Sequence, residues 1–173
     1  MLSFFSEENY EIHKSYLRTL RLKYSILEKS MDGIKDKKIN DIIRQKMKRS
    51  DKKDVVDLLW EIVLHEMFFV SFSENTFLMS ELVSSIFGSE AAFLNEIFRM
   101  AMKIKCGFIC VYTTPNNIYL SSSDQLEYLF KYGTPVLSID ISEHAYFLDY
   151  GFDKERYLRS ALPFLDISKL GVF

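Results

Sequence analysis

The feature that most limits what this chain can fold into is a change of hydrophobic period near Gly107. Upstream of it, apolar residues recur at three- and four-residue steps. Downstream, Gly107 to Thr113 is a run rich in β-branched and aromatic residues. The first spacing lines one face of a helix and the second suits a pleated strand. Ser6 reads as a cap, with Glu7 and Glu8 in a first turn where negative charge suits the helix dipole. Tyr10, His13, Leu17, Leu20, Tyr24 and Leu27 then form one stripe. A second long helix is expected from about Asp51, with Leu58, Ile62, His65, Phe69 and Phe72 on one face. Two such helices suit an antiparallel hairpin that would let His13 and His65 meet, although periodicity alone leaves their relative register open.

Helical spacing resumes over Ser80 to Phe87, breaks at Gly88-Ser89 and runs from Ala91 to Ile104 with Phe93, Ile97, Ala101 and Ile104 inward. Thr114-Pro115-Asn116-Asn117 signals a turn, so the run before it and Ile118 to Ser121 read as a hairpin. Pro135 to Ile139 reads as a third strand, a helix follows from His144, and a closing helix starts at Asp153 after a break near Gly151. The expected class is α+β. An N-terminal antiparallel helical hairpin, residues 1–73, packs on a C-terminal domain, residues 74–173, with a small three-stranded antiparallel sheet and helices.

A length of 173 residues suits one domain, or two small ones on a shared core. The 22 basic and 24 acidic side chains nearly cancel, so no global field marks a binder of nucleic acid or membrane surface. Locally, residues 35–54 hold nine basic and four acidic side chains but no aromatic for base stacking, which favours a solvated linker with a short helix. The longest apolar stretch, Ile62 to Phe72, is interrupted by His65 and Glu66 and is too short to span a bilayer. The start, Met-Leu-Ser-Phe-Phe-Ser-Glu-Glu, shows no basic leader. Cys106 and Cys110 would lie about 13 Å apart on a strand, beyond disulfide reach, and are expected to be buried free thiols. The expectation is a cytoplasmic protein with neither nucleic acid nor membrane as partner.

The chain has only three histidines, His13, His65 and His144, and each lies in a patterned apolar element. One such histidine alone is ordinarily a hydrogen-bonded core residue. Three together, with Asp140 four residues before His144 at the end of a strand, make a mixed nitrogen and oxygen set. Such a set suits manganese, iron or zinc and lacks the thiolates of a structural zinc site.

The stretch from Gly133 to Tyr150, with Asp140-Ile141-Ser142-Glu143-His144-Ala145-Tyr146 at its centre, resembles the signature of iron/manganese superoxide dismutases, Asp-x-Trp-Glu-His-Ala-Tyr. Ser6 to His13 is similar to the start of that family's first helix, the run after His65 to its second ligand helix, and Phe87-Gly88-Ser89 with Phe93 to its Phe-Gly-Ser segment. The resemblance implies four metal ligands, His13, His65, Asp140 and His144, holding one manganese or iron ion per subunit, with superoxide as substrate. Gln125 matches the glutamine of manganese-type members and so favours manganese. Glu143 and Tyr146 match residues that join two subunits, which implies a homodimer.

Departures from the family pattern are local. The gateway histidine and tyrosine, four and eight residues after the first ligand, are Leu17 and Arg21, and the family's interface tyrosine is Phe147. Arg21, with Lys14 and Arg18, would supply positive potential for an incoming anion. Ser142 replaces the signature tryptophan, and Glu61 stands where iron-type members carry glutamine. A weakly active or non-catalytic metal-binding dimer on the same scaffold is the alternative that these changes leave open.

Overall fold

The computed structural model describes residues 3–29, 53–74, 80–114, 116–123 and 135–170. The basic segment up to Lys52, with its expected short helix, and Gln125 lie outside the described residues.

Helix α1 spans Glu7–Lys29 and helix α2 spans Lys53–Val70. The Ser6 hydroxyl caps α1 by accepting the Asn9 N–H at 3.1 Å. Cross-contacts run in opposite senses along the two helices: Tyr10 meets Phe69, His13 meets His65, and Tyr16 reaches Glu61. The pair is therefore the expected antiparallel hairpin. Its seam buries Leu17, Leu20 and Ile62, whereas Leu27, at the far end of the stripe, is exposed. Another side of α2 presents Val55, Leu59, Trp60 and Leu64 to Phe108, Cys110 and Tyr112, so this helix sits between α1 and the sheet.

Two serine-capped helices follow, α3 at Glu81–Phe87 and α4 at Glu90–Lys103. Gly88 between them takes φ +79°, a left-handed backbone that closes α3 without a Cβ penalty. Strands β1 at Phe108–Thr114, β2 at Asn117–Ser122 and β3 at Pro135–Asp140 form an antiparallel sheet in the order β2-β1-β3. In register, Phe108 faces Asp140 and Ile109 faces Ile139. Helix α5 spans Glu143–Tyr150 and α6 spans Lys154–Ala161, followed by short 3-10 turns at Leu162–Phe164 and Ile167–Lys169.

The largest buried cluster joins Phe4, Phe5, Phe68 and Phe72 to Phe93, Ile97, Ile109, Ile139, Tyr146, Tyr157 and Leu158, so both halves of the chain share one apolar core. Full burial of each large apolar side chain contributes about 1.5–3 kcal/mol. Polar ties fix α1 on α5: the Asn9 amide donates to the Ala145 carbonyl at 2.8 Å, and the Ser6 N–H donates to Asp149 Oδ2 at 2.9 Å.

One expectation fails. Cys106 is exposed and only Cys110 is buried. Cys106 falls in the bend between α4 and β1, so it never joins the strand whose pleat carries Cys110 inward. Among the described residues no helix is long and apolar enough to cross a membrane.

Candidate metal centre

Four elements deliver the four residues. His13 comes from the middle of α1 and His65 from the facing stretch of α2. Asp140 ends β3, and His144 lies in the first turn of α5. The strand-to-helix corner is held by backbone geometry. Gly107, just before β1, has φ +103°, and a Cβ there would collide with the Ser123 hydroxyl. Its N–H donates to Ser142 Oγ at 2.9 Å and its carbonyl accepts the Ile141 N–H at 2.9 Å. Tyr157, fully buried on α6, donates its hydroxyl to the Asp140 carbonyl at 2.8 Å and stacks on Tyr146 with ring centroids 4.8 Å apart.

The four side chains converge. Asp140 Oδ2 lies 3.2 Å from His13 Nε2, 3.3 Å from His65 Nε2 and 3.0 Å from His144 Nε2, and the last two nitrogens are 3.2 Å apart. One ligand atom from each residue fits within a 4.8 Å group. Donors about 2.0–2.2 Å from a common ion and 90–110° apart at it would be separated by about 2.8–3.6 Å. The four spacings just given, 3.0–3.3 Å, fall in that range.

Hydrogen bonding also favours an ion. His65 Nδ1 lies 2.6 Å from the Glu61 carbonyl, which can only accept, so Nδ1 carries the proton. In the neutral ring, Nε2 then aims a lone pair at a carboxylate oxygen and at another imidazole nitrogen, an arrangement that a cation relieves. His13, Asp140 and His65 are buried, and His144 is 32% exposed. Burial pushes the His13 imidazole below its ordinary range, against the opposing pull of Asp140. For Asp140 burial acts upward, but hydrogen bonds with His13, His144 and His65 outweigh it and hold the carboxyl well below the usual range. Burial would lower His144 too, yet the hydrogen bond and charge of Asp140, with the charge of Glu61, keep it above the ordinary value. Asp140 Oδ1 accepts the Ser142 N–H at 2.8 Å, which leaves Oδ2 for the histidines.

Aromatic rings wall the centre. Phe68 and Phe69 flank His13 at 4.7 and 5.1 Å, Phe108 meets His65 edge-on at 4.9 Å, and Tyr16 lies over His144 at 4.4 Å. Glu143 is exposed and makes no hydrogen bond or ion pair among the described residues. Tyr146 is only 3% exposed, its ring packed in its own chain's core. Arg21 does not face the ligands. It lines a groove of about 390 Å³ with Lys14, Leu17, Arg18, Glu66 and Phe69, and its guanidinium pairs with Glu66 at 2.8 Å. Sequence reasoning did not single out Tyr16 or Tyr157. The spacing of Tyr16, three residues after His13 and so on the same helix face, was a usable signal; Tyr157 carries none.

A family model described as iron/manganese superoxide dismutases, C-terminal domain, matches residues 75–170. That span includes Asp140, Glu143, His144 and Tyr146 and stops short of His13 and His65. No curated protein matches the chain.

Proposed function

Because the chain belongs to the iron/manganese superoxide dismutase family, we propose that it is a metal-dependent dismutase that converts two superoxide ions and two protons to dioxygen and hydrogen peroxide. The observation that carries this reading is the convergence of three imidazole nitrogens and one carboxylate oxygen from four separated positions. His13, His65, Asp140 and His144 would hold one manganese or iron ion per subunit, and the chemistry that ion would supply when bound is one-electron redox cycling.

The residues of this chain do the rest. His13 and His65, from an N-terminal hairpin unit, and Asp140 and His144, from a C-terminal unit, hold the ion. Glu61 orients the His65 ring through its carbonyl. Tyr157 and Ser142 hold Asp140 by its main chain and by Oδ1. The aromatic wall excludes bulk water, and His144 leaves one side open to a small anion. A homodimer is supported by Glu143, exposed and without a hydrogen-bond or ion-pair partner among the described residues, and by the exposed Phe147, Leu148 and Phe152. A cytoplasmic setting is supported by two unpaired thiols. The preference for manganese rests on Gln125 alone.

The second reading, a weakly active or non-catalytic metal-binding dimer, is favoured by the groove: Leu17 is apolar there, and Arg21 is neutralised by Glu66. Superoxide decay under stopped flow, normalised to manganese and iron measured on the same sample, separates the two. Decay proportional to bound metal is the expected result. Full metal with background decay would leave the second reading standing.

A further inference from the structure

Of the rings that wall the metal centre, Phe68, Phe69 and Phe108 carry no acidic proton, and Tyr16 does. The Tyr16 ring packs on two of the imidazoles, with centroids 4.4 Å from His144 and 5.2 Å from His65. Its hydroxyl donates to Glu61 Oε1 at 2.7 Å, and the Glu61 carbonyl lies 2.6 Å from His65 Nδ1. Phenol, carboxylate and imidazoles therefore form one connected unit. His144, the one converging residue with appreciable exposure, is where a small molecule would reach the centre, and Tyr16 lies over it.

A phenol gives up an electron easily only where a base takes its proton in the same event, because the phenol radical cation is a strong acid. A carboxylate is such a base, and a 2.7 Å hydrogen bond to it is a short path for the proton. Tyr157, the other tyrosine tied to the site, donates to the Asp140 main-chain carbonyl, which is too weak a base to serve.

We propose that Tyr16 is a one-electron donor at the metal centre, oxidised by hydrogen peroxide with Glu61 as the proton acceptor. This rests on the metal-centre reading above. Breaking the O–O bond of peroxide takes two electrons and two protons and yields two waters. One electron comes from Tyr16, whose hydroxyl proton passes to Glu61 Oε1 and leaves a neutral tyrosyl radical. The other comes from the reduced ion, and both protons taken up by peroxide come from solvent. The pair thus directs oxidation by the product of dismutation to a phenol, in place of the ligand imidazoles.

The test uses full-length protein loaded with Fe(II) or Mn(II), mixed with hydrogen peroxide and followed by freeze-quench electron paramagnetic resonance. A tyrosyl radical signal is expected. Tyr16→Phe keeps the ring on His144 but removes the donor, and should lose the signal at matched metal content. Glu61→Gln keeps an acceptor for the hydroxyl but no base, so the signal should form about 100-fold more slowly. An equal signal in Y16F, or none in the metal-loaded unmodified protein, overturns the donor and leaves the metal centre standing. An unchanged rate in E61Q overturns the part given to Glu61. Failure of the unmodified protein to take up either metal overturns the metal centre and the donor together.

Discussion

Replacing Asp140 by Asn strikes the centre at its most connected atom. Oδ2 faces the Nε2 atoms of His13, His65 and His144 at 3.2, 3.3 and 3.0 Å, while Oδ1 accepts the Ser142 N–H at 2.8 Å. Asn is nearly isosteric and keeps an oxygen for Ser142, so the corner into α5 persists. The amide nitrogen takes the place of Oδ2 and removes the negative charge that the histidines face. An ion that binds only the folded chain, at about 1,000 times its Kd, stabilises it by about 4 kcal/mol. For a chain of 173 residues, with about 2–4 °C of Tm per kcal/mol, that is a rise of about 8–16 °C. Thermal scans with Mn(II) and with chelator should show this gap in the unmodified protein and its near closure in D140N. Comparing the gap within each protein cancels whatever the substitution costs the metal-free fold. If D140N keeps the full metal-dependent rise, the carboxylate does not hold the ion and the reading of the centre fails.

Two further outcomes are expected. Imidazoles must be neutral to bind a metal, and His144 is held above its ordinary range by Asp140 and Glu61 despite burial. Metal affinity of the metal-free protein should therefore fall on acidification from about pH 8 to about pH 5, with protons competing at His144 before His13, which burial holds low; an affinity flat across that range would refute this. If the exposed Phe147, packed on the 77% exposed Phe152 with ring centroids 5.0 Å apart, lies in a homodimer seam, Phe147→Glu should convert dimer to monomer in sedimentation velocity. A monomeric unmodified protein would dispose of the dimer.

Much of the fold was legible in the sequence because helices and strands follow local periods, whereas the full ligand set came from the resemblance to a known signature. A stripe of three- and four-residue steps places His13 and His65 on buried faces whatever the helices pack against. A strand ending at Asp140, with His144 in the first turn of the next helix, puts acid and imidazole at one corner. Serine caps and the left-handed Gly88 mark the helix ends by chemistry confined to a few residues. Cys106 was misread because it lies two residues before β1, in a bend that the pleat carrying Cys110 inward does not reach.

Tertiary structure alone decided the rest. Whether His13 meets His65 depends on the relative register of α1 and α2, which no period within either helix specifies; the observed register also brings Tyr16 to Glu61 and Arg21 to Glu66. Those pairings turn a cation expected to guide anions into a neutralised one, and a polar substitution into an acceptor for the phenol that lies over His144. Tyr157 reaches Asp140 from α6 by packing that brings distant segments together, and nothing in its sequence neighbourhood announces it. Local periodicity determines which way a side chain points, because backbone geometry is the same in every helix and strand. What it points at is set by shape and burial summed over the whole core.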